Sequence, residues 1–225
     1  MRRSRSQTKE PQYQRSLELA RAHGSTRLGY MANQVYHDDP RRIGFVFARY
    51  KFVAKMLQGT SRVLEVGCAD GFGTRVVQQH VGKVVGIDFD PVFVADVQGR
   101  QNSRWRWECR LHDILKAPVR PRFDAAYALD VLEHIPRSRE GRFIRNMQAS
   151  VHPRGVVILG TPSLESQKYA SPQSRQGHVN CKTAAQLKAF LSRHFRHVFL
   201  FSMNDEVVHT GFPSLSHYNF ALCLC

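Results

Sequence analysis

The sequence predicts an α/β fold: a doubly wound, mostly parallel sheet of seven strands whose last strand is antiparallel. Three observations lead there. Short apolar runs alternate with helix-spaced segments between residues 40 and 160. Residues 63–73 run from an apolar stretch through an acid and small residues to what reads as a helix start. The final apolar runs, near 197–202 and 217–225, follow one another with no helix between them. Alternating strands and helices imply a parallel sheet covered on both faces. Two consecutive strands with no crossover imply a closing hairpin, which reverses the last strand.

Residues 1–12 are polar, basic and aperiodic, and are expected to form a mobile tail. Residues 13–40 read as short helical and loop segments. After Pro40, the side chains Ile43, Val46, Phe47, Tyr50, Val53, Ala54 and Leu57 recur at helical spacing, and Gly59 closes the helix. A strand over 61–67 and a helix over 72–81 follow. The next strand, 83–88, leads into Asp90-Pro91, an N-cap with a first-turn proline. Alternation of Trp105 and Trp107 with Arg104 and Arg106 predicts a third strand over 104–109. A fourth strand over 123–129, a helix over 138–150 and an apolar strand over 155–160 complete the alternating part. A long loop reaches 182 and a helix covers 183–195 before the closing strands. No internal repeat or low-complexity tract interrupts the pattern.

Bulk properties narrow the class. A chain of 225 residues with 42% hydrophobic and 23% charged residues can bury one substantial core. No apolar run approaches the roughly 18 residues that a membrane span needs, and no apolar stretch follows the basic N-terminus, so a signal peptide is not expected. Five cysteines without CxxC spacing point to reduced thiols in a cytoplasmic protein rather than to disulfides or structural zinc. The net charge of +15 invites an anionic partner such as nucleic acid. The positive residues are spread without a long block, so a solvated basic surface is the heavier reading and nucleic acid is not favoured.

Each chemistry-bearing motif falls at the carboxyl end of an expected strand, where doubly wound sheets bind ligands. The first is Glu65-x-Gly67-x-Ala69-x-Gly71. Glycine permits φ > 0 and a close backbone approach. The second is Asp88, an acid some twenty residues further on that suits ribose hydroxyls. Gly71-x-Gly73 lacks the third small residue of a dinucleotide fingerprint. In this set the chain resembles the class I S-adenosylmethionine (SAM) methyltransferases, with alanine where that family most often has its middle glycine.

That resemblance, carried by residues 40–162, implies SAM as cofactor. It implies binding by Glu65, Gly67, Ala69, Gly71, Asp88 and its neighbour Phe89. Asp113 and Ile114 would then meet the adenine, and Leu129 and Asp130 would line the methionine moiety. The run Asp130-Val131-Leu132-Glu133-His134 resembles the strand-four motif of a small-molecule branch of the family. Absence of an amino-methylation motif or a Pro-Cys pair after strand four argues against DNA-base chemistry.

Methyl transfer needs alignment, exclusion of water and often a base. His178, in the loop over 161–182, is the first choice for that base because imidazole titrates near neutral pH; His134 is the second. Arg49 or Arg42 could meet the SAM carboxylate, although a solvated arginine is the heavier reading for both. Asp130, Glu133 and His134 offer metal-type ligands on one turn, yet acids also favour a helix start, and no metal site is assigned. The expected organisation is a tail over 1–12 and one domain over 13–225. Within that domain 13–58 is a helical cap, 59–160 the SAM core, and 161–225 the acceptor-side loop and closing hairpin. The expected activity is methyl transfer to a small polar acceptor, such as oxygen of a sugar, glycan or other hydroxylated metabolite. RNA methylation and a SAM-binding module without turnover are the alternatives.

Overall fold

The computed structural model describes residues 7–225. The first six residues of the expected basic tail lie outside the described residues; the rest leads into a 3-10 turn at Pro11–Tyr13. Three helices precede the sheet: α1 (Gln14–His23), α2 (Tyr30–Asp38) and α3 (Arg41–Met56). Then come β1 (Arg62–Val66), α4 (Thr74–Gln78), β2 (Lys83–Asp88), α5 (Pro91–Gly99), β3 (Glu108–Leu111) and β4 (Phe123–Leu129). The chain continues through α6 (Arg137–Ser150), β5 (Val151–Pro162), α7 (Pro172–Gly177) and α8 (Ala184–Leu191). It ends in β6 (His197–Asn204), β7 (Val207–His209) and β8 (Tyr218–Leu224).

The strands form one sheet in the order β3-β2-β1-β4-β5-β8-β6-β7. β1 pairs in parallel with both β2 and β4, so the chain winds outward to β3 and then returns to the other side of β1. The switch point therefore lies between β1 and β4, beside the glycine-containing turn. The closing strand β8 inserts between β5 and β6 and runs antiparallel to both, as the sequence led one to expect.

Alternation along β1 assigns the two faces. Leu64 and Val66 join Phe143, Ile144 and Met147 of α6 and Leu187 of α8 in one core. Val63 joins Phe52, Val53 and Leu57 of α3 in the other, with Tyr127, Tyr218 and Phe220. Truncating a ring such as Phe143, wholly buried between α6 and the sheet, would cost about 3–5 kcal/mol.

Three elements differ from the sequence reading. Among the described residues the sheet has eight strands, because part of the segment between the two expected closing strands forms the short strand β7, which pairs Met203 with Val208. The third strand is Glu108–Leu111 rather than 104–109. The amides of Trp105 and Trp107 are instead satisfied by the Asn102 and Gln101 side chains, which takes them out of a ladder. The loop over 161–182 holds α7 as well as a 3-10 turn at Glu165–Tyr169. Ser171 caps α7 by accepting from the Ser174 amide, and Pro172 occupies its first turn.

Candidate active site

The turn after β1 curls over the end of β2. Gly67, Ala69 and Gly71 take φ of +73°, +44° and +63°. A Cβ on Gly67 would lie 2.5 Å from Val131, and one on Gly71 would lie 2.4 Å from the Trp107 ring. The close approaches that require glycine are thus to side chains of the protein itself. Ala69 occupies the left-handed region without that freedom, and its amide donates to Asp88 Oδ2 at 2.9 Å.

Glu65 is 2% exposed and faces the α3 side of the sheet. Its two oxygens accept from Tyr50 Oη at 2.9 Å and Thr74 Oγ1 at 2.6 Å, tying α3 and α4 to β1. Burial pushes its pKa up to about 7, against the bonds from Thr74 and Tyr50 that favour the charged form. Asp70, which the sequence reading passed over, accepts from the Ala32 amide of α2 at 2.7 Å and from the Phe72 amide at 3.1 Å. Arg100 donates to its carbonyl. These bonds fasten the N-terminal helices to the turn.

Asp88 is nearly buried at the end of β2. Besides the Ala69 contact, its Oδ1 accepts from the Asp90 amide at 2.9 Å. A carboxylate has about four lone-pair sites, so this one keeps acceptor capacity for a pair of hydroxyls. Phe89, 74% exposed, stands beside it as an open apolar ring. The end of β3 reaches the same place, since the His112 amide donates to the Asp88 carbonyl. Asp113 accepts from the Leu115 amide at 2.8 Å in a tight turn. Ile114 is packed in the main core; the exposed apolar side chain on this rim is Leu111.

At the end of β4, Leu129 is buried and Asp130 takes φ +56°. Arg49 of α3 donates to Asp130 Oδ2 at 2.6 Å and lies over the Tyr218 ring, 4.1 Å from its centroid. Arg49 is therefore held in place rather than solvated, whereas Arg42 is exposed. The 3-10 turn Leu132–His134 follows and puts Glu133 inside the protein at 0% exposure. Its Oε2 accepts from Thr161 Oγ1 at 3.2 Å, and its Oε1 has no partner among the described residues. Burial, then the neighbouring Asp130 charge, raises the Glu133 pKa well above the usual carboxylate range.

His134 and His178 meet edge to face with ring centroids 5.1 Å apart. His134 Nδ1 contacts the Gly177 carbonyl at 2.9 Å and His178 Nδ1 contacts Gln167 Oε1 at 2.8 Å. An oxygen partner requires an Nδ1–H donor, so a neutral ring in this position presents its lone pair at Nε2. Ligand-type atoms of Glu133, His134 and His178 all lie within 4.8 Å of one another. The fold thus replaces the triple weighed in the sequence: Asp130 goes to Arg49, and His178 arrives from the α7 side. Asn180 secures that arrival, donating its amide to the Glu133 carbonyl and its side chain to the Ile135 carbonyl.

The switch-point site, the acid ending β2 and the closing antiparallel strand define a class I SAM-dependent methyltransferase fold. Residues 63–155 match the family model described as a methyltransferase domain. A probable SAM-dependent methyltransferase of Mycolicibacterium smegmatis is 28% identical over 102 residues, 45% of this chain and 38% of that protein. A ubiquinone biosynthesis O-methyltransferase of Coxiella burnetii is 25% identical over 125 residues, 54% of this chain and 52% of that protein. Among solved structures, the N-methyltransferase NodS from Bradyrhizobium japonicum in complex with S-adenosyl-L-homocysteine superposes with a TM-score of 0.60 at 21% identity. That likeness of fold covers 82% of this chain and 86% of NodS. The chain is thus similar to SAM-dependent methyltransferases, in sequence through the domain match over residues 63–155 and in fold through NodS. It aligns with about half or less of the length of these curated relatives.

Proposed function

We propose that this chain transfers the methyl group of SAM to a hydroxyl oxygen of a small polar acceptor, such as a sugar or other hydroxylated metabolite. The observation that carries the reading is the convergence of Glu133, His134 and His178 beyond β4, where each neutral imidazole presents its lone pair at Nε2. When bound, SAM supplies an electrophilic methyl on a sulfonium, which would serve as the leaving group, keeping the carbon–sulfur electron pair as the acceptor oxygen takes the methyl. Asp88, with its spare lone pairs, would hold the ribose; Phe89 would cover the adenine; the turn over 67–71 and Leu129 would pass beside the methionine part. The acceptor proton passes to His178 Nε2. Burial, then the neighbouring His134, lowers the His178 pKa, so the ring is neutral and able to accept that proton at neutral pH. Gln167 orients the ring through Nδ1, and Arg49 fixes Asp130 at the rim.

A second reading of the same three side chains is a divalent-cation site. It is favoured by the fully buried Glu133 Oε1, unpartnered among the described residues, beside two imidazoles whose Nδ1 atoms are already tied to oxygen acceptors. Ring orientation through the distal nitrogen is the usual support for a metal-ligating histidine, and an imidazole–carboxylate set suits a transition dication. The test is a turnover screen of acceptors with SAM, repeated after chelation and after return of Mn²⁺ or Co²⁺. Methylation of hydroxylated acceptors supports the oxygen-transfer reading, and exclusive reaction of amines overturns it. Activity unaffected by chelation removes the cation.

A further inference from the structure

Arginines that are scattered in sequence gather on one face. Arg137, Arg139, Arg142 and Arg145 of α6 and Arg193, just past α8, line a groove of about 620 Å³. All five are exposed. Among the described residues none of their guanidinium groups has an ion pair or hydrogen bond. Glu140, the acid of the lining, is already engaged by Lys182 at 2.8 Å and Asn180 at 2.7 Å. The Phe190 and His194 rings meet edge to face in the same lining, with centroids 5.3 Å apart. The groove starts at the rim of the site already described, because Arg137 follows His134 by three residues.

We propose that this groove binds the phosphodiester backbone of a single-stranded nucleic acid. Five unpaired guanidinium forks beside one neutralised acid match a line of phosphates, which arginine recognises in bidentate geometry. From Arg137 to Arg145 the helix axis advances roughly 12 Å, long enough to face several successive phosphates of one strand. A basic groove with an aromatic side chain is the recurring arrangement for single strands. An anionic lipid surface would instead call for exposed apolar side chains to insert beside the charges. The one large apolar side chain of this lining, Phe190, is half-buried.

The test is fluorescence anisotropy of a labelled single-stranded RNA 12-mer with the full chain, without SAM, across 50–200 mM salt. If all five arginines neutralise phosphates, the log–log salt slope is about −3.5, so affinity falls roughly a hundredfold over that range. The variant R142Q/R145Q/R193Q alters exposed residues outside the proposed methyl-transfer site. Its slope should flatten to about −1.4, a fall of roughly sevenfold. Equal affinity and slope in the variant overturn the proposal. So does binding to phosphatidylserine vesicles with none to RNA, or binding to neither at 50 mM salt. Because SAM and acceptor take no part, failure here leaves the methyl-transfer reading to its own assay.

Discussion

Glu65→Gln tests the buried network under the glycine turn. Glu65 is inside the protein, accepts from Tyr50 and Thr74, and has a pKa of about 7 against an ordinary value of 4.5. The folded state therefore binds this proton more tightly than the unfolded chain does. Its stabilising contribution is complete below about pH 4.5 and is lost as pH rises through about 7. The shift corresponds to about 3 kcal/mol in full, most of which disappears between pH 5 and pH 8.5. Glutamine keeps an oxygen for one of the two hydroxyl donors and has no proton to lose. The assay is urea unfolding of both proteins at half-unit steps across that range. The wild type should lose roughly 2–3 kcal/mol more than the variant between the ends. Depressed histidines such as His178, His194 and His217 work in the opposite direction, each costing stability as pH falls. They are common to both proteins and cancel in the difference. Parallel curves for the two proteins would refute the assignment of a buried, protonatable Glu65.

Asp88→Ala should weaken SAM binding in calorimetry by roughly ten- to a hundredfold, the worth of hydrogen bonds to a charged acceptor; unchanged affinity would remove the ribose from this position. His178→Ala should lower turnover by about a hundredfold or more while SAM affinity stays within twofold, and parallel losses in both would point to a structural role instead. Ala69→Gly should raise the unfolding free energy by up to about 1 kcal/mol, because alanine sits at φ +44° where glycine is not penalised. A destabilised glycine variant would show that the alanine methyl is needed for packing.

The parts of the fold that were legible are those whose signal is local. Apolar runs at strand length gave β1, β2, β4 and β5 to within a few residues, since each is buried on both faces and reads as a continuous run. The third strand failed because Trp105 and Trp107 imitate period-two alternation. Their apolar surface serves another purpose: the Trp107 ring packs beside Gly71 and Gly86, and a packing aromatic is indistinguishable from a strand residue in one dimension. β7 was lost inside a polar loop because a short edge strand needs no apolar pattern, only a partner for its backbone groups. Asp70 carries no signal of its role in the sequence; its partner is an amide 38 residues earlier, which nothing near it announces.

The same limit explains the acceptor side of the molecule, and it is a limit of dimension rather than of residue chemistry. The reading from sequence already held His134 and His178 as candidate bases, but as alternatives 44 positions apart. Folding makes them one object, because Asn180 anchors the returning loop to Glu133 and Ile135 just as that strand end turns into α6. The distribution of charge shows the same limit. A spread of arginines along a chain is evidence for a solvated surface only if their spacing in sequence resembles their spacing in space. On α6, Arg142 and Arg145 stand three residues apart and so share a face, and Arg193 arrives beside them from beyond α8. Concentrated positive potential costs self-repulsion, and burial together with Arg145 and Arg193 holds the His194 pKa below its ordinary value. A surface of that kind, beginning three residues from the proposed base, adds an electrostatic requirement to the proposed site. In the proposed reading the turn at 63–73 would constrain the donor, and the pairing of α6 with the end of α8 would constrain what is brought to it.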